Sequence, residues 1–97
     1  MTSKHWTEDR KNRADLIEKI GKGDVIKEVE IDRGHKNGPE IHKVSTTGIV
    51  TIFNKKTNKM ITQLIARPNQ LKRYFERVPQ DLWTIARQHQ RLGYNLV

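Results

Sequence analysis

Over residues 25–66 the chain alternates runs rich in β-branched residues with breaks made of Gly, Pro and Asn, and this rhythm constrains the fold more than any other feature of the sequence. Residues 25–31 set Val25, Val29 and Ile31 in a run with Lys27, against Ile26, Glu28 and Glu30, which predicts an edge or half-buried strand. Residues 32–39 hold two Gly and one Pro, cannot keep a ladder, and are expected to form a loop. Residues 40–46 and 49–54 read as the second and third strands. Thr47-Gly48 joins them, with glycine free to take the positive φ of a tight hairpin. A turn over residues 55–59 leads to a fourth strand over 60–66.

Helical signals flank this block. Over residues 6–20, Thr7 is a candidate N-cap, Glu8 and Asp9 fall in the first turn, and Gly21 supplies a stop. Trp6, Arg10, Ala14, Ile17 and Ile20 recur at steps of three and four and predict one narrow apolar stripe that packs on a sheet. Arg67-Pro68-Asn69 breaks the fourth strand and opens a short helix over about residues 69–76. After Pro79, a last helix over about residues 81–92 carries Leu82, Ile85, Ala86 and Leu92 at helical spacing. The expected fold is α+β: an N-terminal helix, a four-stranded antiparallel meander and one or two C-terminal helices, with the helices on one sheet face. With 97 residues and 34% hydrophobic content, a single domain with a modest core is expected.

Charge narrows the choice of partner. The chain carries a net +8, and residues 49–97 hold nine Lys and Arg against two Asp and Glu, so +7 of that excess falls in the second half. A polyanion is expected to dock there, with solvated side chains as the bland alternative. No cysteine is present, which excludes a disulfide framework, a thiol nucleophile and Cys-type metal sites. No apolar run approaches the roughly 18 residues of a membrane helix, and residues 1–13 lack the pattern of a signal peptide. A cytoplasmic protein without a membrane partner is expected.

Metal-free RNA cleavage by 2′-OH attack needs a base, an acid and cations around the phosphorane. His42, on a strand that would fix it, and His35, on the loop, are the candidates for proton transfer. The plain alternatives are a strand histidine bonded to a neighbouring carbonyl and a solvated loop residue. His5 and His89 are expected at the surface. Thr62 alternates with Met60, Leu64 and Ala66 against Ile61, Gln63 and Ile65. The bulk of Ile61 and Ile65 favours their side as the core, leaving the Thr62 hydroxyl on an open face toward a phosphate oxygen; the other assignment would merely pack its methyl. Arg67, at a strand end, is suited to grip phosphate bidentately.

Lys55, Lys56 and Lys59 in the turn, and Lys72 and Arg73 with Tyr74 between them and Phe75, are candidate nucleic-acid contacts, Tyr74 by stacking on an unpaired base. Leu71 and Phe75 are expected to pack on the sheet. Trp6 and Trp83 are expected in the core, or else as an exposed protein-binding anchor. No metal site is persuasive, since the strong His-Glu-x-x-His spacing is absent, and neither a phosphate-cradling glycine loop nor a dinucleotide fingerprint occurs. No cofactor is expected.

Residues 32–42, DRGHKNGPEIH, followed by GIVTIFN and by MITQLIARPNQLKRY over residues 60–74, resemble small bacteriophage and prophage proteins of lactic-acid and related Gram-positive bacteria. The similarity runs over about residues 24–76 and implies the cytoplasm of a host bacterium. A looser resemblance is to the barnase, EndoU, colicin and RelE-type ribonuclease toxins, which place His, Thr or Ser, and Arg or Lys on an open sheet face. That resemblance implies catalytic roles for His42, Thr62 and Arg67, with His35, Arg73 or Tyr74 as further candidates. The chain differs in having helices after the sheet. The expectation is thus an RNA-directed protein, as a metal-independent endoribonuclease or as a non-enzymatic nucleic-acid binder. A host or antitoxin protein is the alternative partner.

Overall fold

The computed structural model describes residues 13–34 and 36–94. The element order is a helix α1, whose described part is residues 13–20, then β1 (Val25–Ile31), β2 (Glu40–Ser45), β3 (Ile49–Asn54), β4 (Met60–Ile65), α2 (Pro68–Leu71) and α3 (Gln80–Arg91). The strands form one antiparallel sheet in the order β1-β2-β3-β4, and the fold is α+β, as the sequence leads one to expect. The first-helix signals Trp6, Thr7, Glu8, Asp9 and Arg10 lie outside the described residues.

Pairing fixes what each face carries, because directly opposed residues project to the same side. Val29, His42, Ile52 and Thr62 stand opposite one another and make a single rung across all four strands. The same face holds Val44, Val50 and Leu64, and here Leu71, Tyr74, Leu82 and Ala86 close the main core. The opposite face presents Ile49 and Ile65, which meet Ile17 of α1 in a second, smaller cluster. Helices therefore cover both faces rather than one. The physical reason is that both sides of β3 and β4 are apolar: Val50 and Leu64 serve one cluster and Ile49 and Ile65 the other.

The β2–β3 hairpin is held by Ser45. Its Oγ accepts from the backbone N–H groups of Thr47, at 3.3 Å, and Ile49, at 3.2 Å. Gly48 takes φ +83°, which suits a residue without a Cβ. The helix expected over residues 69–76 is shorter, ending at Leu71, and turns carry the chain from there to α3. On α3, Leu82, Ala86 and His89 turn inward. His89, expected at the surface, is 9% exposed. Its Nε2–H donates to the Thr47 carbonyl at 3.1 Å, its ring stacks on Tyr94, and this ties α3 to the hairpin. Among the described residues, no helix is long and apolar enough to cross a membrane.

Candidate nucleic-acid interface

The residues expected to do chemistry occupy three separate places. His42 lies mid-strand on β2, beneath the segment that follows α2, and is 1% exposed. Its Nδ1 is 2.7 Å from the Tyr74 hydroxyl and its Nε2 is 3.0 Å from Glu40 Oε1. With Glu40 ionised, Nε2–H donates to the carboxylate and the Tyr74 O–H donates to Nδ1. Both ring nitrogens are occupied and the ring is sealed. A base or acid has to reach the proton it transfers, and among the described residues this ring's nitrogens meet Tyr74 and Glu40.

Tyr74 is the other half of the tie. Only 8% of its surface is exposed, so it is not offered to an unpaired base as the sequence suggested; its ring lies 5.6 Å from that of His42. Burial pushes the Tyr74 phenol above its ordinary value; Arg73 and Arg33 pull it back in part, and Glu40 adds to the rise. The sign of the linkage follows. The folded state keeps the phenol protonated where the unfolded chain releases it, so stability is full below about pH 10 and falls as pH climbs through the folded value. The wild-type melting temperature is expected to drop more steeply above about pH 10 than that of Tyr74→Phe, as read by thermal denaturation at stepped pH. Equal slopes would contradict it.

Thr62 shares the His42 rung, but Ile52 stands between them, and two strand spacings amount to about 10 Å. It lies on the face closed by the C-terminal elements, not on an open one. Meanwhile Ile61, expected to be core, is 50% exposed beside the β4 irregularity. Arg67 follows the end of β4, five residues on from Thr62, or roughly 16 Å along a strand. His42, Thr62 and Arg67 therefore do not gather around one phosphate. His35 and His5 lie outside the described residues.

The cations also divide. Lys55, Lys56 and Lys59 belong to the β3–β4 turn, at the far end of β4 from Arg67. There Lys55 pairs with Glu30, and the aliphatic stem of Lys56 lies against Gly38. A second group forms on α2 and α3. The Arg67 N–H donates to Gln70 Oε1 at 2.8 Å, which fixes the backbone at the start of α2, where Pro68 supplies the preset φ. Lys72 and Arg73 are exposed just beyond α2, and the Lys72 ammonium stands 5.5 Å from the centre of the Trp83 ring system.

Trp83 and Arg87, one helical turn apart, wall two adjoining clefts. One, of about 300 Å³, is completed by Gln80, Thr84, Gln88 and Arg91. The other, of about 260 Å³, is completed by Arg67, Pro68, Asn69 and Gln90. Among the described residues, neither lining contains an acidic one. Both are open, and at or just below the lower end of the roughly 300–1,000 Å³ typical of small-molecule sites, which suits a surface contact rather than an enclosed substrate. Trp83, expected in the core or else as an exposed anchor for a protein, is only partly buried. The i, i+4, i+8 series Trp83, Arg87, Arg91 starts on the flank of the face that buries Leu82, Ala86 and His89 and drifts, at about 40° per step, to the side away from it at Arg91.

Among the described residues, no group of three or more His, Asp or Glu is placed to hold a metal ion. Compared with protein-family models, curated proteins and solved structures, the chain gives no match.

Proposed function

We propose that this protein binds nucleic acid through the outer surface of α2 and α3 and does so without cleaving it. The observation that carries this reading is the grouping of Arg67, Lys72, Arg87 and Arg91 around Trp83, on clefts that no carboxylate lines among the described residues. Guanidinium and ammonium groups bind phosphate, and their grouping around Trp83 supports a local field rather than a diffuse coat. The +7 excess over residues 49–97 supplies the long-range attraction. The ribonuclease reading rests on His42, and a buried ring bonded on both sides to Tyr74 and Glu40 lends it no support.

The test is a titration with labelled RNA and DNA at stepped salt, with EDTA present. Binding is expected at low salt, with log K falling linearly against log salt by about 0.7 per phosphate contacted on a single strand. No cleaved product is expected on prolonged incubation. Absence of binding to either polymer at low salt would remove the proposal, and RNA cleavage lost in His42→Gln would return the site to the sheet.

A further inference from the structure

We infer that the α2–α3 surface takes single-stranded nucleic acid, with Trp83 as the platform on which one unpaired base stacks; this rests on the nucleic-acid reading above. A duplex shows its partner phosphates and groove edges but hides the faces of its bases, so it has little use for an indole set among cations. An unpaired base has a π-face, and stacking on an aromatic side chain is the recurring way proteins hold it.

The placement of the cations fits a strand crossing α3. Arg67 lies on one side of the Trp83–Arg87 ridge and Arg91 on the other, so a base on Trp83 has a guanidinium toward each neighbouring phosphate. Arg87 borders both clefts and serves the phosphate nearest the stacked base. The amides of Asn69, Gln88 and Gln90 line the same clefts, and amides both donate to and accept from exposed base edges. Lys72 currently covers the indole at 5.5 Å. An arriving base takes its place on the ring, and the ammonium exchanges a cation–π contact for a phosphate. Stacking is tolerant of base identity, so recognition is of strand state and not of sequence.

Trp83 is one of two tryptophans, so Trp6→Phe makes its fluorescence the sole indole signal. That protein is titrated with oligouridylate, with oligothymidylate and with a duplex of equal length. Expected are saturable quenching by the single strands and at least tenfold weaker duplex binding. Trp83→Ala is expected to lower single-strand affinity by roughly tenfold, with Trp83→Tyr keeping most of it. Equal binding of uridylate and thymidylate, or a preference for either, supports the inference, provided both exceed the duplex. Should Trp83→Ala fail to fold, quenching and the strand-to-duplex ratio decide alone. Salt-dependent binding that is indifferent to strand state, or untouched in a folded Trp83→Ala, overturns the inference and leaves the nucleic-acid reading standing. No binding at low salt removes both.

Discussion

Replacing His42 with alanine is expected to destabilise the fold by about 3 kcal/mol, the sum of a cavity and an orphaned polar group. For a domain of this size, that lowers the melting midpoint by roughly 12–24 °C. His42 is 1% exposed in the middle of a central strand, so truncation leaves a void between β2 and the segment after α2. The loss also strips Tyr74 of its partner in a place water barely reaches. Glu40 fares better. Its side chain is 23% exposed and turns to solvent, so that half of the tie contributes less. Thermal and urea melts of His42→Ala, Tyr74→Phe and the double variant measure the coupling, expected at about 0.5–3 kcal/mol. A midpoint within about 2 °C of wild type in His42→Ala would show that the tie contributes little and reopen a catalytic purpose for the ring.

The double reversal Lys72→Glu with Arg87→Glu is expected to weaken nucleic-acid binding by about a hundredfold at low salt, taking roughly tenfold for each reversed charge at a phosphate. Both side chains are exposed, so stability should stay within about 0.5 kcal/mol of wild type. With Arg67, Lys72, Arg87 and Arg91 each meeting a phosphate, the salt slope is about −2.8, and losing two contacts halves it. The matched control is Lys56→Glu with Lys59→Glu, which changes the net charge equally at the other end of β4. That pair is expected to cost less than about threefold, the share owed to long-range attraction alone. Equal losses in the two variants would mean that a general positive coat, and not α2–α3, holds the polymer.

Local signals in the sequence were strong enough to give the strands. β1 and β3 fall where β-branched runs and turn residues place them, and β2 and β4 end one residue earlier than their patterns suggest. The hairpin at Thr47-Gly48 was legible because its requirement is local, a residue tolerant of positive φ. Which face is covered was not legible, since Leu64 and Ile65 are equally apolar and each found a cluster. The same limit governed the site. Whether His42 is free depends on Tyr74, 32 positions away, and whether Trp83 is sealed depends on how α3 rolls on the hairpin. Tyr74 is buried where stacking on a base was expected, and Trp83 is only partly buried, because an aromatic ring carries no mark of the side it will face. The four cations near Trp83 were visible in the sequence as charge, but only the path from β4 through α2 to α3 brings them together.

The meander has a consequence for the order of assembly. Every strand pair joins neighbours along the chain, the longest connection being residues 32–39, so the sheet closes mostly local contacts and is expected to form early. The C-terminal layer waits on longer closures: His42 to Tyr74 spans 32 positions, and Thr47 to His89 spans 42. Trp83 and Arg67 are therefore expected to come into register after the sheet that holds them. The proposed binding surface is then expected to be the last part of the molecule to form, and amide hydrogen exchange is expected to be faster in α3 than in β2 and β3.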